Sequence, residues 1–199
     1  APTGVWNAQI NVGGVTFSKN LRVESIKPNR LKIDLSLPKG TLITGSNNAK
    51  LHTEWLNGNT ASGLKYDVSA TIIETTTSWK QWNGYVFDDP TKSFEMSEQS
   101  VAKGEVGSQG DASCVLNFKA GRTAPGLLKA SLVTHVYEPS GEFSIDATQT
   151  LIAPYDRFVG VKVPTQEGQS HLDTEKDHTF SVLSVNKDGN AVSGVNVKV

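Results

Sequence analysis

Features that usually announce chemistry are scarce in this chain. Its 199 residues hold one cysteine, Cys114. A single cysteine closes no internal disulfide, so the chain is not a small domain stapled by crosslinks. Charge of one sign is also missing: 19 basic against 20 acidic residues leave a net charge of −1. Nucleic-acid binding draws on clustered Lys and Arg that displace counterions, and no such cluster occurs, so no nucleic-acid partner is expected. There is no basic amphipathic helix to lie on a membrane. No apolar run approaches the roughly 20 residues of a membrane span, so no membrane insertion by this segment is expected. The amino end, Ala1-Pro2-Thr3-Gly4-Val5-Trp6, lacks the basic and apolar regions of a signal peptide. That leaves either a cytoplasmic chain or one cut from a longer, exported precursor. Gly-x-Ser-x-Gly, a phosphate loop and a dinucleotide fingerprint are all absent. Helical periodicity is hard to find.

Strand alternation, by contrast, is common. Val5–Asn11 and Val15–Ile26 flank Val12-Gly13-Gly14, whose glycines supply the positive φ of a tight turn, so residues 5–26 are expected to form a β-hairpin. Lys27-Pro28-Asn29 interrupts it. Leu31, Ile33, Leu35 and Leu37 then alternate with Lys32, Asp34 and Ser36, the pattern of a half-buried strand. A polar stretch, Gly45-Ser46-Asn47-Asn48, precedes a strand over Ala49–Leu56. A long strand carries Leu64, Tyr66, Val68, Ala70 and Ile72. Residues 75–110 are the least regular, with short strands expected near Tyr85–Phe87 and Phe94–Val101. Ala112, Cys114, Leu116 and Phe118 mark one further strand, and Ala130, Leu132, Thr134 and Val136 another. Glu138-Pro139-Ser140-Gly141 turns the chain into Phe143, Ile145 and Ala147. Ala153-Pro154-Tyr155-Asp156 looks like a module boundary. Beyond it, Phe158–Val163, Thr179–Asn186 and Val192–Val199 are expected strands. The last of these stops with the chain, which suggests a piece of something longer. At about 100 residues per β-sandwich module, two would fit. The fold class that follows is all-β: immunoglobulin-like antiparallel β-sandwiches, one complete and one partial or permuted.

The candidates for chemistry have plainer explanations. His171 and His178 flank Asp173, Glu175 and Asp177, but no known ligand spacing is present, and a solvated connection fits the stretch better. His135 falls mid-strand on the face opposite Leu132. Cys114 falls on an apolar face, where a buried inert thiol is the default. Asp88, Asp89 and Asp34 offer carboxylates of the kind glycosidases pair, yet adjacent acids in a turn ended by proline are usually solvated. No catalytic, cofactor-binding or metal-binding residue is therefore assigned, no cofactor is expected, and the chain is not expected to be an enzyme. The aromatics Trp79, Trp82, Tyr85 and Phe87 remain as an interaction surface. They could stack on sugar rings, as in a surface adhesin or carbohydrate-binding sandwich, or in an accessory domain of a secreted hydrolase. They could equally cover an open edge or plug a contact with a neighbouring module. The burial habits of aromatics favour the second use.

Three stretches, taken in order, resemble a known family. They are Gly4-Val5-Trp6 with Val12-Gly13-Gly14-Val15-Thr16-Phe17 through Lys27-Pro28-Asn29-Arg30-Leu31; Glu54-Trp55-Leu56-Asn57-Gly58-Asn59-Thr60-Ala61-Ser62-Gly63-Leu64-Lys65; and Phe158-Val159-Gly160-Val161-Lys162 followed by Leu172-Asp173-Thr174, Phe180-Ser181-Val182 and Asp188-Gly189-Asn190-Ala191-Val192-Ser193-Gly194-Val195. The chain resembles the macroglobulin-like domains of bacterial α2-macroglobulins of the Bacteroides type. The resemblance implies a closing hairpin of one sandwich over 1–26, a complete sandwich over 27–153, and the opening strands of the next over 154–199. It also implies a periplasmic or cell-envelope location, neighbouring macroglobulin-like domains as partners, and target proteases met through the full-length protein. Family members trap proteases when a bait segment is cut and a Cys–Gln thioester captures the attacker. The thioester motif, Cys-x-Glu-Gln, is absent, because Cys114 is followed by Val115-Leu116-Asn117. What the resemblance implies is a scaffold segment of a protease inhibitor without its reactive centre.

Overall fold

In the computed structural model, residues 4–23, 28–121, 123–164, 172 and 174–196 are described. Among these the regular structure is strand, with one 3-10 turn at Lys80–Trp82. The strands are β1 (Gly4–Val12), β2 (Val15–Val23), β3 (Leu31–Ser36), β4 (Leu42–Ile43), β5 (Gly45–Trp55), β6 (Lys65–Glu74), β7 (Ser97–Glu105), β8 (Asp111–Phe118), β9 (Leu128–Tyr137), β10 (Phe143–Ala153), β11 (Arg157–Lys162) and β12 (Ser181–Asn186).

Strands β3–β10 make an immunoglobulin-like sandwich. One layer has the order β4-β10-β9-β6-β7 and the other β3-β5-β8. All pairings are antiparallel except the two-residue contact of β4 with β10, which is parallel. Period-two alternation decides which side chains enter the core. Leu128, Ala130, Leu132, Thr134 and Val136 of β9 and Tyr66, Val68, Ala70 and Ile72 of β6 face inward. They meet Leu31, Ile33 and Leu35 of β3, Ala49 and Leu51 of β5, and Cys114, Leu116 and Phe118 of β8. The chain reaches this sandwich through side chains that imitate a strand partner. Asn29 Nδ2 donates to the Ile145 carbonyl at 2.7 Å while Asn29 Oδ1 accepts from the Ile145 amide at 3.0 Å. The Arg30 amide donates to Ser144 Oγ at 3.0 Å, and its guanidinium meets Glu138 at 2.8 Å.

Several expectations are corrected. The polar stretch 45–48 belongs to β5: Gly45 to Asn48 pair with Phe118 to Val115 of β8. Asn47 is only 8 % exposed. Its side chain accepts from the Ile43 amide at 3.0 Å and donates to the Ile43 carbonyl at 2.8 Å, so a polar residue is buried by standing in for backbone. The strand expected over Phe94–Val101 is Ser97–Glu105. It carries a bulge at Val101, opposite the Val68/Ser69 step, which breaks the alternation on which sequence reading depends. Residues 85–87 hold only one isolated bridge, Val86 to Val161. Residues 192–196 form no strand beyond the Ala191–Val185 bridge, and 197–199 lie outside the described residues.

β1 and β2 form the expected hairpin, in register from Gly4–Val23 to Val12–Val15. Gly13 and Gly14 both have positive φ, 57° and 82°, as a two-residue turn of this hand requires. Residues 24–26 of the expected hairpin lie outside the described residues. β1–β2 and β11–β12 are separate two-stranded sheets.

Candidate functional site

The expected interaction aromatics sit in the connection from β6 to β7, residues 75–96. That connection has little regular structure, yet side chains fix its path. The Asp88 carboxylate accepts the Thr77 amide at 3.0 and 3.2 Å, and Thr77 Oγ1 accepts the Leu127 amide at 2.7 Å. The Asp89 amide donates to the Pro125 carbonyl at 2.9 Å. Asp89 also accepts from the amide and hydroxyl of Thr91, and these bonds hold its carboxyl below the usual range. The Phe94 amide donates to the Glu74 carboxylate.

Held this way, the aromatics converge on β11 and β12. Phe87, Leu127, Ala153, Phe158 and Val185 form a second buried cluster, with Trp79, Trp82, Tyr85, Tyr155 and Leu183 packed around it. Trp79 meets Phe87 edge-on at 4.8 Å and Phe158 at 5.6 Å. Such pairs contribute about 0.5–1.5 kcal/mol each beyond area burial. The Trp82 indole N–H donates to the Gly189 carbonyl at 2.7 Å, and Gln81 Nε2 donates to the same oxygen at 3.0 Å. Backbone approaches rings here closely enough to require glycine. A methyl group at Gly160 would overlap the Phe87 ring, and one at Gly189 would overlap the Trp79 indole. On the far side of the same turn, the Thr41 amide donates to Asp188 Oδ1 at 2.8 Å and Lys187 Nζ donates to the Thr41 carbonyl at 2.7 Å. The Thr41 amide, with Lys187 adding to it, lowers the Asp188 pKa.

A sugar platform needs ring faces open to solvent. Here Gly189 lies against the Trp79 indole and Trp82 donates its N–H to the Gly189 carbonyl, while Trp79, Trp82 and Tyr85 stay half-buried and line one surface pocket. The arrangement suits fixing one segment of chain to another. Phe158 and Val185 were expected strand residues and Asp188-Gly189 an expected turn, but nothing in the sequence marked them, Thr41 or Lys187 as partners of the aromatics.

The other candidates are not brought together. His135 lies on the face opposite Leu132, on the outer side of its sheet. Its Nδ1 is 3.2 Å from Asp67, and the Tyr137 hydroxyl donates to the same carboxylate at 2.5 Å. His52 pairs with Asp111 at 2.7 Å on the exposed face of the other sheet. Asp34 is on the exposed face of β3, away from the connection that holds Asp88 and Asp89. Cys114 is buried at 1 % exposure, and burial pushes its thiol pKa up, partly offset by a hydrogen bond with Tyr66. His171 and Asp173 lie outside the described residues. Among the described residues no group of three or more His, Cys, Asp or Glu is placed to hold a metal ion, and no helix is long and apolar enough to cross a membrane.

The sequence model of the MG5 domain of bacterial α2-macroglobulin matches residues 29–154, well over half of the chain. The chain belongs to the bacterial α2-macroglobulin family. Solved α2-macroglobulins share its fold. Salmonella α2-macroglobulin reacted with methylamine aligns with a TM-score of 0.53 at 18 % identity, over 96 % of this chain and 13 % of that one. Escherichia coli α2-macroglobulin activated by porcine elastase aligns with a TM-score of 0.56 at 18 % identity, over 95 % of this chain and 17 % of that one. The native E. coli protein gives 0.51 at 14 % identity, over 96 % and 13 %. None of the curated proteins is a match to the sequence. The chain thus spans less than a fifth of the α2-macroglobulins it aligns with.

Proposed function

We propose that this chain is a non-catalytic scaffold segment of a bacterial α2-macroglobulin-like protease inhibitor, and that the reactive centre lies elsewhere in the full-length protein. In this reading, residues 1–26 close one macroglobulin-like sandwich, 27–153 form a complete one, and 154–199 open the next. The partners are neighbouring domains of the same precursor, and proteases are met only through the whole molecule. The location is the periplasm or cell envelope.

The observation that carries the reading is how the chain uses its aromatics. Trp79, Trp82 and Phe87 pack on the chain's own β11–β12 segment, as a spacer between modules requires. The cysteine supports it as well. Cys114 is buried in a strand and is followed by Val115-Leu116-Asn117, which departs from Cys-x-Glu-Gln at both defining positions. A thioester has to be reachable by a nucleophile once the molecule is triggered, and a side chain in the sandwich core is not.

The test compares the full-length protein with the 199-residue chain. Each is incubated with an endoprotease, and the mixture is examined by denaturing gel and by activity on a large protein substrate. Capture or shielding of the protease by the full-length protein, with none by the chain alone, is the expected result. A full-length protein that neither captures nor shields any of a panel of endoproteases overturns the reading. Binding of a polysaccharide by the chain, lost on Trp79→Ala with Trp82→Ala, would place it instead among carbohydrate-binding sandwiches.

A further inference from the structure

β11 and β12 are six residues each and pair only with one another among the named strands. A two-stranded antiparallel sheet is marginal in water unless something covers a face and an edge. Both are covered here by the β6–β7 connection. The face that carries Phe158, Gly160, Leu183 and Val185 packs on Trp79 and Phe87. The β11 edge is met by Val86: its amide donates to the Val161 carbonyl at 2.9 Å, and the Val161 amide donates back to the Val86 carbonyl at 2.9 Å. This reciprocal pair is an isolated antiparallel bridge, so the connection ties to the β11 edge at one residue, Val86.

The attachments lie at opposite ends of the strand pair. The Val86 bridge is one residue from the Lys162–Ser181 end of the ladder. The Trp82, Gln81 and Thr41 bonds grip the turn after Asn186, at the Arg157–Asn186 end. Five residue steps at about 3.3 Å separate the ends, roughly 16 Å. A segment pinned at one point can pivot, whereas one pinned at both ends and packed between them cannot.

We propose that residues 79–87 are a splice, an edge bridge joined to an aromatic plug, by which the β3–β10 sandwich holds the β11–β12 sheet and makes the junction rigid. The two parts then open together and move as one body. This use of the connection is independent of whether the full-length protein captures proteases, since it concerns the mechanical link alone.

Val86→Pro is a narrow probe. The Val86 side chain is 62 % exposed, so the substitution takes away one amide donor and almost no packing. The residue before a proline is biased toward extended backbone, which an edge bridge also uses. Trp82→Phe is a second probe at the other end: it keeps an aromatic ring against Tyr85 and removes the N–H that holds Gly189, together with part of the indole's packing area. Native-state hydrogen exchange read by mass spectrometry on the 199-residue chain is the measurement. Each variant is expected to speed exchange in β11 and β12 by about tenfold, with β3, β5 and β8 unchanged. In the parent chain, β11 and β12 are expected to open together with β9 and β10. Exchange in β11–β12 that is unchanged in either variant, or that runs far ahead of β9 and β10 in the parent, overturns the proposal.

Discussion

At the scale of single residues, one buried thiol and two tyrosines make the chemistry of the sandwich predictable. Cys114 points into the core beside Leu116 and Phe118, as strand alternation indicates. Burial, which raises its thiol pKa, also excludes reagent. Native protein is expected to react with a thiol reagent only as it unfolds, so labelling accelerates sharply near the denaturation midpoint. Fast labelling without denaturant would mean a register slip in β8. Tyr66 and Tyr137 are the second case. Burial, with Cys114 beside it, pushes the Tyr66 phenol up to about 12. The Asp67 hydrogen bond, then burial, then the Asp67 charge do the same for Tyr137, again to about 12. Both native pKa values stand above the ordinary phenol value of 10. The neutral form is thus favoured in the folded state, and the stability this contributes is complete below pH 10. It is lost as the pH climbs toward 12, because the unfolded chain ionises first. An ultraviolet phenolate titration is expected to show two late tyrosines. Tyr137→Phe is expected to remove one of them and to soften the alkaline loss of stability.

Individual elements show where sequence reading succeeds and where it stops. β3, β6, β8 and β9 were legible because each buries one face and exposes the other, so apolar residues fall at every second position over at least three repeats. β5 was legible only from Ala49 onward. Its first four residues, Gly45-Ser46-Asn47-Asn48, have a loop's composition, and they form strand because Asn47 repays its burial with two bonds to Ile43. Asn47→Ala is expected to cost about 1 kcal/mol, because it removes both bonds to the part-buried amide and carbonyl of Ile43, as read from urea unfolding. A loss under half a kilocalorie would mean that water replaces the side chain at no cost. β7 was half legible, since its bulge at Val101 swaps the faces partway along. The connection 75–96 was illegible in shape, because it is held by the internal Thr77–Asp88 bonds and by bonds joining Asp89 to Pro125 and Thr77 to Leu127, in place of a repeating pattern. Its aromatics were visible, but their partners Phe158, Val185 and Gly189 lie some 70–110 residues further along the chain.

At the scale of the whole molecule, the proposed role is positional, that of one part of a larger protein. The β1–β2 hairpin illustrates the dependence. Ile10, Val12, Val15, Phe17 and Leu21 lie exposed on one of its faces, and a hairpin with an uncovered apolar face is marginal. If residues 1–26 close a preceding sandwich, hydrogen exchange in β1 and β2 is expected to be fast in the 199-residue chain and at least tenfold slower in the full-length protein. Equal rates in both would contradict that placement. The most direct test of the central claim, that this segment supplies no reactive group, uses Cys114→Ser in the full-length protein. Serine is close in size and can keep the bond to Tyr66, so the fold is expected to survive, as circular dichroism would report. The yield of captured endoprotease, measured by denaturing gel and mass spectrometry, is predicted to equal that of the parent protein. Loss of capture in a folded Cys114→Ser variant would contradict the account and put the reactive centre inside this sandwich.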